Sequence, residues 1–329
     1  MKHLSFLISY FLLIISSSAF AQNQITPENR LIALRHQMEQ TVDVKAQKQL
    51  LREMTATGTF VAMNTIGQYL DDHSLQSEAA KGVMTIALAN PDYDGYWTRN
   101  LLACALPYLS GKQRKAAYSY MAKTPVEGFV SHFNGRDLTG WKGLVENPIA
   151  RQRMTGEQLA TEQTKADERM RENWRVEDGC LAYFGSGYDN ICTVEQFGDF
   201  EMLVDWRLDP KGKEPDAGIY LRGTPQVQIW DIARTDVGAQ VGSGGLYNNQ
   251  KNRSTPLCVA DNPLGEWNSF YIKMVGERVT VRLNGVLVVD NVPLENYWDR
   301  SLPIFPVEQI ELQAHGSKVY YRDIFIRKL

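Results

Sequence analysis

Residues 219–231 read IYLRGTPQVQIWD. Ile219 and Leu221 alternate with Tyr220 and Arg222. After a Gly-Thr-Pro break, Val227 and Ile229 alternate with Gln226, Gln228 and Trp230. Period-two alternation on both sides of a turn signal predicts two antiparallel strands with one face buried. The other face is not the usual Lys, Glu and Thr of a solvated strand. It gathers Arg, two amides, Tyr and Trp, side chains with directional hydrogen bonds and flat apolar surfaces.

Working outward, the same texture fills the chain from about residue 130. FEMLVDWRL, SFYIKMV, RVTVRL, VLVVD, QIELQAH and KVYYRDIFI are short candidate strands, and Asn284-Gly285 between two of them signals a type I′ hairpin. So many antiparallel strands predict a two-sheet sandwich over 126–329. The charged, helix-prone stretch 151–173 is expected to lie on it as an insertion with a solvated face, ended by Trp174. Residues 28–124 have apolar side chains at three- and four-residue spacing in AQKQLLREMTATG, FVAMNTIGQYLDD and LQSEAAKGVMTIALA, which predicts amphipathic helices over a domain of 22–125. EAAKGVMTIAL resembles a HEAT-type repeat helix. Docking a protein partner is one use for such a domain.

The chain has 329 residues, 43% of them hydrophobic, and a net charge of -3. It is long enough for two folded parts, and it shows no basic excess that would favour nucleic acid. Lys2, the apolar run Leu4–Ile15 and the A-x-A site ending at Ala21 read as a signal peptide over 1–21. A periplasmic or secreted protein is therefore expected, with no lipoprotein Cys after the cleavage site and no membrane anchor. Export places the four cysteines where disulfides can form. Cys180 and Cys192 flank LAYFGSGYDNI, which reads as a hairpin that would let them face each other. A fold of this size needs no staples, and four free thiols are the expectation.

FNGRDLTGW (133–141), WRVEDGCL (174–181), GDFEMLVDWRL (198–208), AGIYLRGTPQVQIWD (217–231), VGSGGLYNN (241–249), GEWNSFYIKMVGERVTVRLNG (265–285) and IELQAHG (310–316) occur in this order. Together they closely resemble the 3-keto-disaccharide hydrolase family, across about 130–329. The resemblance implies an all-β, concanavalin-like jelly-roll sandwich, here preceded by the helical domain. It also implies an exported enzyme acting on glycosides already oxidised to a ketone at sugar C3. Members usually carry Ser where this chain has Ala217, a position the alternation puts on the core side.

A 3-keto group acidifies the proton on C2. A base can remove it to give an enolate, the aglycone then leaves C1 by elimination, and water can add to the enone. This requires a base, a donor for the enolate oxygen and help for the leaving group, not the paired carboxylates of ordinary glycosidases. No E-x-D-x-x-E strand motif of the related glucanases is present. His315, alternating with Glu311 and Gln313 on the polar side of its strand, is the expected base. Arg222 either stabilises the enolate or pairs with Asp205, and Asp205 is either a base or that partner. Gln228 and Gln313 carry amides suited to sugar hydroxyls. Tyr220 and Trp230 can lie against a sugar ring, Asp231 can bind a hydroxyl or cap a turn, and Tyr247 follows a glycine-rich loop expected at the rim. Asp205, Asp231, Glu311 and His315 carry donors that a divalent metal takes, at a spacing that selects none. FNGRDLTGW and GEWN are assigned to architecture. The alternative to an enzyme is a non-catalytic carbohydrate-binding module, which would need the amides and aromatics but no base.

Overall fold

A computed structural model of the chain describes residues 26–123 and 125–329, and the expected signal segment 1–21 lies outside them. Helices come first: α1 (Pro27–Gln40), α2 (Val44–Thr57), α3 (Phe60–Gly67), α4 (Gln76–Ala89), α5 (Tyr96–Ala105) and α6 (Gly111–Met121). Thr26, Asp43, Thr59 and Ser110 each precede a helix and accept a hydrogen bond from its first turn, so the chain turns where these residues fall. Buried Ala79, Ala80, Val83, Ile86 and Ala87 put α4 at the centre of the layer. Gly82 permits the close approach, because a Cβ there would lie 2.5 Å from Thr55 Oγ1 of α2.

Strands β1 (Val130–Ser131) and β2 (Trp141–Gly143) follow, then α7 (Pro148–Arg153) and α8 (Gly156–Asn173). The remainder is strand: β3 (Trp174–Glu177), β4 (Cys180–Tyr183), β5 (Ile191–Thr193), β6 (Phe200–Leu208), β7 (Asp216–Leu221), β8 (Thr224–Trp230), β9 (Asn268–Val275), β10 (Arg278–Leu283), β11 (Val286–Pro293), β12 (Glu311–Ala314) and β13 (Val319–Lys328). They form an eight-stranded sheet, β11-β10-β9-β6-β13-β4-β3 with β1 beside β13, and a five-stranded sheet, β2-β5-β12-β7-β8. The two antiparallel sheets face each other as a jelly-roll sandwich. Ile219, Val227, Ile229 and Leu312 from one sheet meet Met202, Val204, Trp206, Phe270 and Ile272 from the other. Ala217 is part of this core, so the missing Ser hydroxyl would have pointed away from the polar face. Asn284 and Gly285 both have positive φ, 52° and 81°, as the type I′ turn joining β10 to β11 requires.

The helices cover the outward face of the eight-stranded sheet. Phe325 and Leu203 from that face, with Phe129 just ahead of β1, pack into the helical core, and Phe325 sits edge-on to Phe60 and Trp97. A bulge in β13 sharpens the contact. Its register to β6 shifts between Arg322 and Phe325, where Asp323 has φ 51°. The extra residue lets adjacent Arg322 and Asp323 both turn toward the helices while Tyr321 and Ile324 stay in the sandwich core.

One expectation is corrected here. Cys180 lies on β4 and Cys192 on β5, strands of different sheets. The segment between them crosses the sandwich instead of forming a hairpin, and all four cysteines are free. The insertion behaves as expected in lying on the sandwich. Helix α8 rests on β2 at Gly143, where a Cβ would come 2.0 Å from the Ala166 carbonyl oxygen. Trp174 ends the helix and begins β3. No helix among the described residues is long and apolar enough to cross a membrane.

Candidate active site

Cross-strand register sorts the polar side chains of the five-stranded sheet into rows. Lys142, Cys192, Glu311 and Tyr220 stand opposite one another along the first. Gln313, Gly218 and Gln228 form the second. Continuing the β12–β7 register places His315 beside Asp216, which is opposite Trp230. Gly218 matters because it has no side chain. A Cβ there would lie 2.9 Å from Gln313 Oε1 and 3.0 Å from Gln226 Cδ, so the glycine lets these amides close over the strand.

At one end stands His315, half-buried. Its ring meets Tyr188 edge-on at 4.9 Å between centroids, and its Nδ1 has no hydrogen-bond partner. Asp216 is held beside it from the other side: Gln228 Nε2 donates to Asp216 Oδ1 at 2.7 Å, and Arg234 lies 3.6 Å away. Burial pushes the Asp216 carboxyl up, against the opposing pull of His315, Gln228 and Arg234. The site thus sets an unpartnered imidazole nitrogen beside a fixed carboxylate, the kind of pair that general acid–base chemistry uses.

Glu311 occupies the other end. It is 1% exposed, and neither carboxyl oxygen has a hydrogen-bond partner. Burial drives its carboxyl from 4.5 to about 8, with Arg151 opposing and Glu308 assisting. Four residues along a strand set Glu311 and His315 about 13 Å apart, too far to flank one glycosidic bond as a carboxylate pair would. Tyr220 lines a cavity of about 290 Å³ on this face, walled by Tyr188, Trp298 and the α8 residues Ala166 and Arg169. The insertion is therefore a wall of this cavity, which adjoins His315 through Tyr188.

Several expected site residues are placed elsewhere. Asp205 lies on the outward face of the eight-stranded sheet, 3.3 Å from Arg322 Nε and 3.5 Å from Arg35 Nη1 of α1. The helical layer draws it into an ion cluster, so it is neither the base nor the partner of Arg222. Arg222 is turned inward by its left-handed φ of 49° and the irregular pairing of β7 with β8. Its Nε faces Met274 Sδ at 3.3 Å and its Nη1 donates to the Pro306 carbonyl at 3.1 Å, which removes it from the enolate role. The Gln228 amide is engaged by Asp216, Gln226 and the Ala217 and Ile229 carbonyls, so it positions Asp216 and has little left for a sugar. Trp230 is 6% exposed, with its indole N–H donated to the Gly242 carbonyl at 2.9 Å and Tyr247 edge-on at 5.3 Å. Exposed Tyr247 thus presents its ring next to a buried indole. Asp231 accepts the Ala233 N–H at 3.0 Å and caps its turn. The glycine-rich loop pairs with the edge of β8, Gly244 N donating to the Gln228 carbonyl at 2.7 Å. A Cβ on Gly244 would strike Val288 at 2.8 Å, so this loop closes the sandwich edge.

His315, Gln313 and Tyr220 are brought together on one face, as the alternation predicts. Asp216 carries no expectation from the sequence, although it shares the i, i+2, i+4 side of β7 with Gly218 and Tyr220. The sequence offers Glu311 only as a metal donor. Among the described residues, no group of three His, Cys, Asp or Glu side chains is placed to hold a metal ion.

Comparison with known proteins bears on residues 128–327, which match the model of the 3-keto-alpha-glucoside-1,2-lyase-like domain. A 3-keto-disaccharide hydrolase of Bacteroides thetaiotaomicron is 22% identical over 269 residues, spanning 66% of this chain and 85% of that protein. A solved structure from Parabacteroides distasonis, named only provisionally as a glycosyl hydrolase, is 23% identical with a TM-score of 0.44, covering 61% of this chain and 94% of its own. A second from the same organism, named in the same way, is 23% identical with a TM-score of 0.40 over 48% of this chain and 91% of its own. With the family match spanning well over half of its length, the chain belongs to the 3-keto-alpha-glucoside-1,2-lyase-like domain family.

Proposed function

We propose that this protein cleaves glycosides whose sugar carries a ketone at C3, and that His315 is the base that removes the C2 proton. The observation that carries the reading is the placement of half-buried His315, its Nδ1 unpartnered, beside Asp216, itself fixed by Gln228 and Arg234, on the sheet face that the N-terminal helices do not cover. The C2–H electrons move onto the carbonyl oxygen as an enolate. They return to expel the aglycone from C1 with its bonding pair, leaving an enone to which water adds. With Arg222 turned away, the donors left for the enolate oxygen are the Gln313 amide and the hydroxyls of Tyr188 and Tyr220. The family match and the named activity of the Bacteroides relative support this substrate class.

The test is aglycone release from a 3-keto-glucoside and from its unoxidised parent, each with and without a chelator. Release from the oxidised sugar alone is expected, falling by about 10²- to 10⁴-fold in His315→Ala. Equal cleavage of both sugars would contradict the elimination route, and binding without cleavage would favour a carbohydrate-binding module. Chelator sensitivity would add a metal to the site. Export belongs to the same proposal, and N-terminal sequencing of the mature protein is expected to begin at Gln22.

A further inference from the structure

A cleft of about 930 Å³ lies on the opposite side of the eight-stranded sheet from the His315 face. Both layers build it. Arg35, Tyr69 and Trp97 come from the helical layer, Arg322 and Asp323 from β13, and Asn134 and Thr139 from the FNGRDLTGW turn. Its floor is fixed before any ligand arrives. Asn64 donates to Asp323 Oδ1 at 3.0 Å and accepts the Trp97 indole N–H at 3.2 Å. Arg35 Nη1 bridges Asp323 and Asp205, and the Arg322 guanidinium stacks 3.8 Å over the Trp267 ring.

This network engages the carboxylates more fully than the guanidiniums. The hydrogen bonds of Arg35 leave from Nη1 and that of Arg322 from Nε, so each fork keeps further N–H donors beside the cleft. Exposed Glu39 and Asp178 add carboxylate acceptors at the mouth, and Tyr69 and Trp97 add ring faces. Arg35 and Arg322 are balanced by Asp205 and Asp323, and the exposed Glu39 and Asp178 leave the mouth with excess negative charge, which disfavours an anionic ligand. Interleaved donors, acceptors and aromatic faces fit a neutral sugar, whose hydroxyls donate and accept and whose ring carries an apolar C–H face.

We propose that this interlayer cleft is a second saccharide site, one that binds neutral di- or oligosaccharides and takes no part in bond cleavage. It gives the helical layer a role in binding, and it makes the FNGRDLTGW turn part of a ligand wall as well as architecture.

The experiment is calorimetric titration of the full chain with unoxidised maltose, cellobiose and trehalose, with glucuronate as the charged control. Four proteins are compared: wild type, Thr139→Trp, Gln313→Ala and His315→Ala. Thr139 is exposed, so the Trp variant fills the mouth without entering a core, and a thermal melt checks its fold. Binding of at least one neutral sugar is expected, weakened tenfold or more by Thr139→Trp and unchanged by the two changes on the His315 face. The proposal is overturned if no neutral sugar binds, if only glucuronate binds, or if binding survives Thr139→Trp and falls with Gln313→Ala.

Discussion

The two outward faces of the sandwich begin from similar sequence and end with opposite chemistry. LVDWRL on β6 and IELQAH around β12 both alternate apolar and polar residues, and each buries a carboxylate, Asp205 at 2% exposure and Glu311 at 1%. Asp205 meets two guanidiniums supplied by α1 and β13. Glu311 meets no donor, and Gln313 Oε1 and His315 Nδ1 on the same strand side are also unpartnered. Burial of charge therefore does not distinguish structure from site. The distinction lies in whether the fold satisfies what it buries.

Removing the helices should have the largest effect on this contrast. A 126–329 fragment would expose Leu203 and Phe325, each contributing about 1.5–3 kcal/mol by burial, and would leave Asp323 and Asp205 without Arg35. We expect no cooperative thermal transition from it. A fragment that melts sharply near the full-length temperature would show that the covered face does not depend on its cover.

Arg35→Ala makes the same test with one side chain. Burial pushes the Asp323 carboxyl up, but Arg35 and Arg322 outweigh it and hold it below its ordinary value. Deleting Arg35 leaves two carboxylates facing one cation, at a cost of about 3–5 kcal/mol. Urea unfolding should show that loss, while turnover per folded molecule stays at the wild-type level.

On the open face the sign reverses. The folded chain holds the Glu311 proton up to about pH 8, whereas the unfolded chain releases it near 4.5. Glu311 therefore costs no stability below pH 4.5, and it destabilises progressively as pH rises toward 8, by a few kcal/mol in all. Urea midpoints at pH 5 and pH 9 should differ less in Glu311→Gln than in wild type. An unchanged difference would mean that Glu311 has a donor in solution. The smallest effect is expected at Asp231→Ala, which loses one turn hydrogen bond worth about 1 kcal/mol or less and should leave aglycone release unaltered.

How far the sequence carries can be seen residue by residue. Alternation correctly divided Ile219, Val227 and Ile229 from Tyr220, Gln226 and Gln228, and helical spacing located α2, α3 and α4. Parity assigns a side chain to a face but does not say which face a later layer will cover, so Asp205 could not be told from Glu311. Nor does parity survive a bulge. Arg222 was expected on the polar side and turns inward through a left-handed residue, while the β13 bulge sends both Arg322 and Asp323 outward. The four thiols are free, as expected, but the hairpin reading between Cys180 and Cys192 fails for a related reason: closeness in sequence across a Gly-containing segment cannot reveal that β4 and β5 belong to different sheets.

The most direct measurement places the two faces side by side. Single-turnover release of aglycone from a 3-keto-glucoside would be followed in His315→Ala and Asp205→Asn, with a thermal melt of each. His315→Ala should lose about 10²- to 10⁴-fold in rate at the wild-type melting temperature, and Asp205→Asn should melt earlier with its rate per folded molecule intact. A rate lost in Asp205→Asn at an unchanged melting temperature, with His315→Ala still turning over, would put the chemistry on the covered face and contradict the account.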